Sequence, residues 1–546
     1  MSRWPEPAGL TKSRSLTAQA VRLLSYWPPV MAVLAGGLLQ KRRCTHNPCM
    51  DLSPCLPGAT RIDTHISTVW LAGDYAYKIK KPVRLAFLDF STLEQRRHFL
   101  QEELRLNRRT APELYLDLLP VTGSAAVPVL GGAGEVIEWA LRMRRFPDGA
   151  LLSELAARGA LSPWHVDALA AHVADFHLSL PALPPGSAPA KDVVAWTRES
   201  LDEAVSSPLR PPEIGPDRVR ALSAGLLAQL GQQAGWRERR VRGGFLRECH
   251  GDLHLGNLVL WRGGVVAFDA IEFEPALRCI DLMNDVAFAF MDLLAWGWPE
   301  LAWRFVNGYV ERTGDFDGLL GLRAFAAYRA LVRAKVALLS GQPQGFLRYW
   351  PLAEALAAEP ARPRLLLVMG LSGAGKSTLA ASVAEQLGAI RLRSDVERKR
   401  IHGLAPTDRG GAAQHLYAPE ASRRTYDRLR ELAAGLLAAG HSVVVDAALL
   451  RQSERAALRE LAQALDLPFL LLECVAAPDL MEQRLARRAE ANTDASDAGV
   501  EVLRRQRELA EPVPADWAAA HRVLVNDGSL ADLQAAVAAV LADWRT

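Results

Sequence analysis

The chain has 546 residues, of which 50% are hydrophobic and 23% are charged, and its formal net charge is only +3. This length predicts more than one domain, and the near-neutral charge gives no global electrostatic argument for nucleic acid binding. Six cysteines in so long a chain exclude a disulfide framework, so free thiols are expected.

Residues 1–58 are predicted to form a poorly organised extension, rich in Pro, Cys and Arg. Its apolar run, 26–39, contains Pro28, Pro29 and a Gly pair, and basic residues follow it. This run is too short to span a bilayer and lacks a small-residue cleavage site after it, so neither an anchor nor a secretion signal is predicted. We expect a cytoplasmic protein, and translation from Met31 or Met50 is an alternative start.

Residues 59–356 are predicted to form a first folded domain, which begins with strands and continues with helices. A hairpin is expected over 65–80 around a Gly73-Asp74 turn, followed by a charged helix at about 92–109 and an apolar strand at 136–143. Mostly helical segments are then predicted at 161–180, 192–205, 216–233 and about 282–349.

A dense group of polar residues lies between these helices, in His250-Gly251-Asp252-Leu253-His254-Leu255-Gly256-Asn257, and Asp269 follows twelve residues later. Phosphoryl transfer from ATP needs a carboxylate that aligns the attacking hydroxyl and oxygen ligands for Mg²⁺. Asp252 fits the first role, whereas Asn257 and Asp269 fit the second. An alternative is a hairpin in which the Asp and Asn side chains only make turn hydrogen bonds. It is disfavoured because two apolar strands separate Asn257 from Asp269, as a kinase catalytic loop requires.

A short linker at 357–363 precedes a second domain, 363–546, in which strands alternate with helices as in a parallel α/β sheet. Its first strand leads into a stretch that matches G-x₄-G-K-[ST], and an apolar-periodic helix follows as far as about Leu387. The residues predicted to bind the nucleotide here are Gly370, Ser372, Gly373, Ala374, Gly375, Lys376, Ser377 and Thr378. Lys376 would reach the β and γ oxygens, and Ser377 would bind Mg²⁺ beside the helix N-terminus.

Residues 60–355 resemble the aminoglycoside phosphotransferase-like kinases. Besides the catalytic loop, the motifs are Thr64-His65-Ile66-Ser67, Tyr77-Lys78-Ile79-Lys80-Lys81-Pro82-Val83, Leu106-Asn107-Arg108-Arg109 and Ala111-Pro112-Glu113-Leu114-Tyr115. With the P-loop domain behind it, the chain looks like the bacterial bifunctional aminoglycoside phosphotransferase/ATP-binding proteins. The resemblance implies a two-lobed protein-kinase-like fold, with an N-lobe at about 59–145 and a C-lobe at about 146–356.

The same resemblance implies an ion pair beside the ATP phosphates. Lys78 matches the lysine that contacts the α and β phosphates, and Lys80, on the same strand face, is an alternative. Glu103, or its neighbour Glu102, matches the helix glutamate that pairs with this lysine.

Further roles are implied around this pair. Ser67 lies where a loop would cover the phosphates, and residues 138–147 would form the hinge that offers backbone groups to adenine. Asp281 and Asp285 are similar to an acid that braces the catalytic loop in such kinases.

The second domain resembles small P-loop kinases of the polynucleotide-kinase, zeta-toxin and chloramphenicol-phosphotransferase type. In such kinases an acid that ends the second strand aligns the acceptor hydroxyl and a nearby arginine holds the acceptor, which implies Asp395 and Arg398 here. Asp395 as a plain N-cap is compatible with this role. Strand 442–446 is Walker-B-like, with Asp446 near Mg²⁺ or its water. Ala447 follows, where a motor-type ATPase would carry a water-activating glutamate, so transfer to a substrate is favoured. One or more of three lid-helix arginines would reach over the transferring phosphate: Arg484, Arg487 and Arg488.

These patterns predict a phosphotransferase with two Mg²⁺-ATP sites, each of which transfers the γ-phosphoryl group to a hydroxyl of a small molecule. The acceptor surface of the first site is expected in helices at about 160–235, but the fold does not identify either acceptor. One alternative is an N-terminal regulatory module that controls a P-loop kinase. Another is a nucleic-acid-end kinase, for which a basic groove would be supplied by Arg391, Arg393, Arg398, Lys399 and Arg400. No membrane partner is expected.

Overall fold

The computed structural model describes residues 50–545, except 86–87, 185, 190, 407, 409–417, 492–495 and 497. Most of the expected N-terminal extension therefore lies outside the described residues. Its last part, 50–58, is ordered instead of poorly organised, because Leu52 and Leu56 are buried against Trp70, Ile79 and Val121. The first folded unit thus begins before residue 59.

An antiparallel sheet forms the first lobe. Its strands are β1 (Thr60–Asp63), β2 (Ser67–Ala72), β3 (Tyr75–Lys80), β6 (Tyr115–Gly123), β7 (Pro128–Leu130) and β8 (Glu138–Arg144), and β4 (Arg84–Leu85) pairs with β5 (Leu88–Asp89) outside it. The sheet order is β1-β2-β3-β8-β6-β7. The predicted hairpin is confirmed, with Ala72 opposite Tyr75. Helix α1 (Leu93–Asn107) begins at a Thr92 capping box and packs on this sheet.

The second lobe is mainly helical, and its expected helices at 161–180, 192–205 and 216–233 are confirmed within three residues at each end. The helical stretch expected at about 282–349 consists of four helices and extends to Ala357. Its helices are α2 (Leu152–Ala157), α3 (Pro163–Ser179), α4 (Val193–Ser206), α5 (Pro216–Gln232), α6 (Ala234–Arg242), α7 (Pro275–Arg278), α8 (Leu282–Ala295), α9 (Pro299–Thr313), α10 (Leu319–Leu339) and α11 (Pro343–Ala357). Two antiparallel strand pairs accompany them: β9 (Leu246–Glu248) with β12 (Cys279–Asp281), and β10 (Leu258–Trp261) with β11 (Gly264–Ala267). The catalytic-loop residues lie between β9 and β10.

The remaining chain forms a parallel α/β domain. Its strands are β13 (Leu365–Met369), β14 (Ile390–Arg393), β15 (Val443–Asp446), β16 (Phe469–Val475) and β17 (His521–Val525). They lie in the order β14-β15-β13-β16-β17, and every pair is parallel. Its helices are α12 (Lys376–Leu387), α13 (Ser394–Ile401), α14 (Pro419–Ala438), α15 (Gln452–Ala464), α16 (Pro478–Ala491), α17 (Val500–Leu509) and α18 (Leu530–Arg545).

The two domains share one hydrophobic core. Leu365, Ile390 and Val443 of the parallel sheet belong to the same cluster of buried side chains as Phe305 of α9 and Leu319 of α10. Residues 358–364 connect the domains, yet the core does not end there. Within the described part of the chain, no helix is both long and apolar enough to cross a membrane.

Candidate active sites

The first lobe holds a buried network of two lysines and three acids. Lys78 and Lys80 share one face of β3, as strand alternation requires, and both reach the carboxylate of Glu103 on α1. The Nζ–O distances are 2.6 Å for Lys78 and 2.7 Å for Lys80. Lys78 also lies 3.0 Å from Asp269 Oδ1, and Lys80 contacts Glu272. The structure therefore pairs Glu103 with both candidate lysines, whereas Glu102 pairs with Arg105 at the surface.

The lysines keep Glu103 ionised inside the protein. Burial alone would raise its pKa, but the ammonium groups of Lys78 and Lys80 outweigh burial and lower the pKa to about 2. Burial likewise opposes the charge of Lys78, yet Asp269 and Glu103 hold its pKa well above the usual value. Glu272 behaves differently, since burial raises its pKa. Sequence reasoning missed Glu272, which follows Asp269 by only three residues.

Asp252 is a buried, ionised carboxylate in the loop between β9 and β10. Asn257 Nδ2 donates to Asp252 Oδ2 at 2.9 Å and to its carbonyl oxygen at 3.0 Å, and His254 Nε2 lies 3.4 Å from Oδ2. Burial would raise the pKa of Asp252, but His254 leads the interactions that bring it below the usual value. Oδ1 of Asp252 is buried and accepts no hydrogen bond from the residues that the structure describes. It is therefore available to an acceptor hydroxyl.

Asp285 fixes the backbone of this loop. Its carboxylate accepts hydrogen bonds from the amides of His250 at 3.0 Å and Gly251 at 2.9 Å. Gly251 has φ +85°, and a Cβ there would lie 2.9 Å from the carbonyl oxygen of Leu277. Asp281 instead caps the N-terminus of α8 and forms an ion pair with Arg240 at 2.8 Å. Of the two expected bracing acids, only Asp285 contacts the loop.

Asp269 is held in a left-handed conformation, with φ +61°, which is uncommon for a residue other than glycine. Its amide donates to Tyr115 Oη at 3.1 Å, and the next amide, of Ala270, donates to Asn107 Oδ1 at 2.9 Å. In the sequence, Asn107 and Tyr115 belong only to the motifs of the family resemblance. The structure assigns them a physical role, since they orient the carboxylate that faces Lys78.

An apolar cleft lies between the lobes, and the residues that line it include Val69, Leu71, Ala76, Tyr115, Met143, Phe146 and Phe268. Ser67 alternates with Val69 and Leu71 on β2, so it lies on the cleft face, and it opposes Lys80 in the register. The expected hinge includes β8, but the amides of Arg144 and Arg145 already donate to Leu114 and Asp74. The next backbone donor along the hinge is therefore that of Phe146.

Two arginines of α10 have buried side-chain nitrogens, and the charge of one of them, Arg333, reaches the catalytic loop. Nε and Nη1 of Arg333 are buried and have no hydrogen-bond acceptor among the described residues, and its charge acts on Asp252. Nη2 of Arg329 is likewise buried without a hydrogen-bond acceptor among the described residues. The guanidinium of Arg329 lies 4.7 Å from the ring centre of Phe288. The ring of His254 lies 5.7 Å from that of Phe288. Sequence reasoning placed acceptor binding at about 160–235, and no motif in the sequence marks these two arginines.

In the second domain, close packing explains the glycines of the P-loop. A Cβ on Gly375, at φ +92°, would lie 2.0 Å from Asn526 Nδ2, and one on Gly370 would lie 2.5 Å from the carbonyl oxygen of Cys474. Lys376 is the first residue of α12, so the helix N-terminus points into the loop. The amide of Ser372 donates to Gln506 Oε1 at 2.8 Å, where a phosphate oxygen would otherwise accept it.

Ser377 and Asp446 lie together at the ends of neighbouring elements. Ser377 Oγ donates to Asp446 Oδ1 at 3.3 Å. Oδ2 of Asp446 is buried and receives no hydrogen bond from the described residues. A hydroxyl and a carboxylate with one unused oxygen are the donor set that Mg²⁺ accepts beside nucleotide phosphates, so these residues fit the metal.

Asp395 was expected to end a strand, but it is the second residue of α13 and lies two positions after the end of β14. Strand β14 is at the sheet edge, and β15 separates it from the P-loop strand β13. Arg398 lies one helical turn after Asp395 and is buried, with Nη1 3.4 Å from Ser422 Oγ. The two predicted acceptor residues thus share one helix beside Asp446.

The basic groove expected for a nucleic-acid end is largely neutralised. Arg391 and Arg393 pair with Glu311, Arg400 pairs with Glu397, and Lys399 donates to a backbone carbonyl. Of the three lid arginines, Arg484 alone contacts the P-loop, 3.3 Å from the carbonyl oxygen of Ala374. Most of the expected lid loop at 492–499 lies outside the described residues.

A family model described as an AAA domain matches residues 365–513. The chain is 31% identical over 479 residues to the uncharacterized protein Rv2004c of Mycobacterium tuberculosis, a match that spans 84% of this chain and 91% of that protein. The uncharacterized protein Mb2027c of Mycobacterium bovis matches to the same extent.

Solved structures of kinases are similar to parts of the chain. The APS kinase CysC of M. tuberculosis, in complex with AMPPNP and APS, is 22% identical with a TM-score of 0.25, covering 34% of this chain and 99% of its own. The Plasmodium vivax ethanolamine kinase is 10% identical with a TM-score of 0.37, covering 64% of this chain and 96% of its own. A choline kinase from Cryptosporidium parvum is 12% identical with a TM-score of 0.34, covering 56% and 94%.

Proposed function

We propose that this chain, which belongs to the family of the mycobacterial protein Rv2004c, is an ATP-dependent phosphotransferase with one nucleotide site in each domain. Both sites would transfer the γ-phosphoryl group to a hydroxyl of a small molecule. The observation that carries the proposal is the presence of two polar groups in one kinase-like unit, the ion-paired set of Lys78, Glu103 and Asp269 and the hydrogen-bonded pair of Asp252 and Asn257.

In the first site, the apolar cleft would receive adenine and Lys78 would contact the α and β phosphates. Asn257 and Asp269 would hold Mg²⁺, which supplies charge neutralisation of the phosphates when it is bound. Asp252 would accept a hydrogen bond from the acceptor hydroxyl through its unused Oδ1 and align it for attack. Its lowered pKa keeps it ionised for this task.

The unused donors of Arg329 and Arg333 favour an acceptor that presents oxygen atoms with negative charge, such as a hydroxy acid or a sugar phosphate. Asp252 and Asp292 lie in the same region, and the Asp292 carboxylate already accepts hydrogen bonds from Tyr349 and the Leu255 amide. The guanidinium groups therefore offer the hydrogen bonds left for the acceptor. A polycationic acceptor would meet these arginines unfavourably.

The second site would use the P-loop for the phosphates, Ser377 and Asp446 for Mg²⁺, and Asp395 with Arg398 for its acceptor. Ala447 follows Asp446 directly, so no carboxylate adjoins it to activate water. The domains would divide at the 357–363 linker, and the protein would work in the cytoplasm, where ATP is supplied.

The direct test is ATP consumption by the full-length chain with a metabolite panel, comparing Asp252→Asn and Asp395→Ala. Each substitution should abolish turnover of one set of acceptors and spare the other. If no acceptor responds to Asp252→Asn while nucleotide still binds in the interlobe cleft, the first domain is the regulatory module of the alternative interpretation.

A further inference from the structure

Helix α9 of the first domain lies against the edge strand of the P-loop sheet. Asn307 Nδ2 donates to the carbonyl oxygen of Ala389 at 2.9 Å, and the amide of Arg391 donates to Asn307 Oδ1 at 2.7 Å. One buried amide side chain thus satisfies both backbone groups that a further strand would otherwise satisfy at this edge. The other domain therefore covers this edge of β14, whose opposite edge pairs with β15.

One turn further along α9, Glu311 binds two arginines of β14. Its Oε2 lies 2.8 Å from Arg391 Nη2, and its Oε1 lies 2.7 Å from Arg393 Nη1. All three side chains are largely shielded from solvent, with 14–23% of each exposed. Burial would raise the pKa of Glu311, but the two arginines outweigh it and lower the pKa, so the carboxylate is charged.

Each of these arginines continues to one of the two residues that fit Mg²⁺. Nη1 of Arg391 donates to the carbonyl oxygen of Ser377 at 3.2 Å. Nε of Arg393 lies 3.7 Å from Asp446 Oδ2, the oxygen without a hydrogen bond from the described residues. A single carboxylate from the first domain thus connects, through two guanidinium groups, to both metal-binding residues of the second.

We propose that Glu311 is a positioning residue for the metal site of the P-loop domain, so that this site is complete only when the first domain is docked. The inference rests on the proposed Mg²⁺-nucleotide site of that domain. Arg393 interacts with both Glu311 and Asp446. Its ion pair with Glu311 weakens its electrostatic attraction to the Asp446 oxygen that Mg²⁺ needs. When Glu311 is made neutral, the Arg393 charge acts more strongly on Asp446 and competes with the metal.

The test is the Mg²⁺ dependence of ADP binding to the full-length chain, followed by calorimetry. The P-loop contribution is the part of the binding that Lys376→Ala removes. Glu311→Gln should raise the Mg²⁺ concentration needed for half-maximal binding at this site by about tenfold, the size typical of losing a residue that supports a metal ligand. Binding in the interlobe cleft should keep its Mg²⁺ dependence.

The matched control is Glu385→Gln, which removes another ion pair of the same interface, with Arg304 at 2.8 Å. Within the described part of the chain, Arg304 makes no hydrogen bond or ion pair with Ser377 or Asp446. It should leave the Mg²⁺ midpoint unchanged. The double variant Glu311→Gln/Arg393→Gln should return the midpoint towards the wild-type value, because the competing charge is gone. Simple loosening of the interface predicts no such rescue.

The outcomes separate the two proposals. If Lys376→Ala removes no Mg²⁺-dependent binding from the wild-type chain, the proposed function of the second domain is wrong. If that binding exists but Glu311→Gln leaves its midpoint unchanged, or shifts it no more than Glu385→Gln does, Glu311 is not a positioning residue. If Glu311→Gln does not fold, Arg393→Gln alone decides, since it should lower the midpoint and a higher one contradicts the inference.

Discussion

Replacing Glu103 by Gln should be far more damaging than the same change at its neighbour Glu102. The Glu103 carboxylate is fully buried and holds the ammonium groups of both Lys78 and Lys80, which the amide would leave without most of their compensating charge. Removing one partner of a buried ion pair typically costs about 3–5 kcal/mol. Glu102 makes a partly exposed pair with Arg105, and such pairs contribute about 0–1 kcal/mol.

The pKa of Glu103 gives the pH dependence of its contribution to stability. Folding lowers it from 4.5 to about 2, because Lys78 and Lys80 outweigh burial. The ionised carboxylate therefore stabilises the folded chain. Because the folded pKa is the lower one, this stability is fully present above about pH 4.5 and is lost as the pH falls towards 2. At neutral pH, Glu103→Gln should therefore lose the whole contribution.

The assay is urea unfolding of the two single variants at pH 7, followed by the same measurement near pH 3. Glu103→Gln should unfold at clearly lower urea than Glu102→Gln at pH 7, and the difference should shrink at the lower pH. ATP affinity of the interlobe site should fall with Glu103→Gln, because Lys78 loses its anchor. Equal destabilisation by the two variants, or a difference that does not depend on pH, would refute the assignment of Glu103.

Four further substitutions test the two sites. Asp252→Asn should slow transfer by the first domain by about 10²–10⁴-fold while calorimetric ATP affinity stays nearly unchanged, and lost affinity in a folded variant would contradict its role as base. Asp395→Ala should abolish phosphorylation of the second acceptor without loss of nucleotide binding, whereas Lys376→Ala should lose both; rapid acceptor-free hydrolysis that survives Asp395→Ala would show that water is the acceptor. Gly375→Ala should abolish nucleotide binding at the P-loop, because its Cβ would lie 2.0 Å from Asn526 Nδ2, and normal binding by this variant would show that the loop can relax.

The sequence predicts those parts of the sites whose members are close together along the chain. Asp252 and Asn257 stand five residues apart in one loop, and the structure joins them by a hydrogen bond of 2.9 Å. The P-loop, its preceding strand and its following helix are likewise contiguous in sequence. The structure confirms the strand at Leu365–Met369 and the helix at Lys376–Leu387. Spacing alone carries enough information in such cases, because local backbone geometry determines where the side chains lie.

Residues that meet only through tertiary packing could not be predicted in this way. Arg333 acts on Asp252 from a helix about eighty residues further along the chain. Strand alternation could not decide between Lys78 and Lys80, because both lie on the same face of the strand, and the structure shows that Glu103 binds both. The α1 helix period alone does not distinguish Glu102 from Glu103 either. What decides is burial, since only Glu103 faces the sheet, and burial is a property of the assembled lobe.

Domain organisation shows the same limit at a larger scale. The proline-bounded linker at 357–363 correctly predicts that a helix ends and a strand begins there, since α11 ends at Ala357 and β13 begins at Leu365. Nothing in that segment indicates that Ile390 of the second domain is buried in the same core as Phe305 of the first. A cut at the linker would expose this apolar surface and separate Glu311 from Arg391 and Arg393. The linker is thus a boundary in the chain, while the energetic unit that contains the P-loop metal site extends across it.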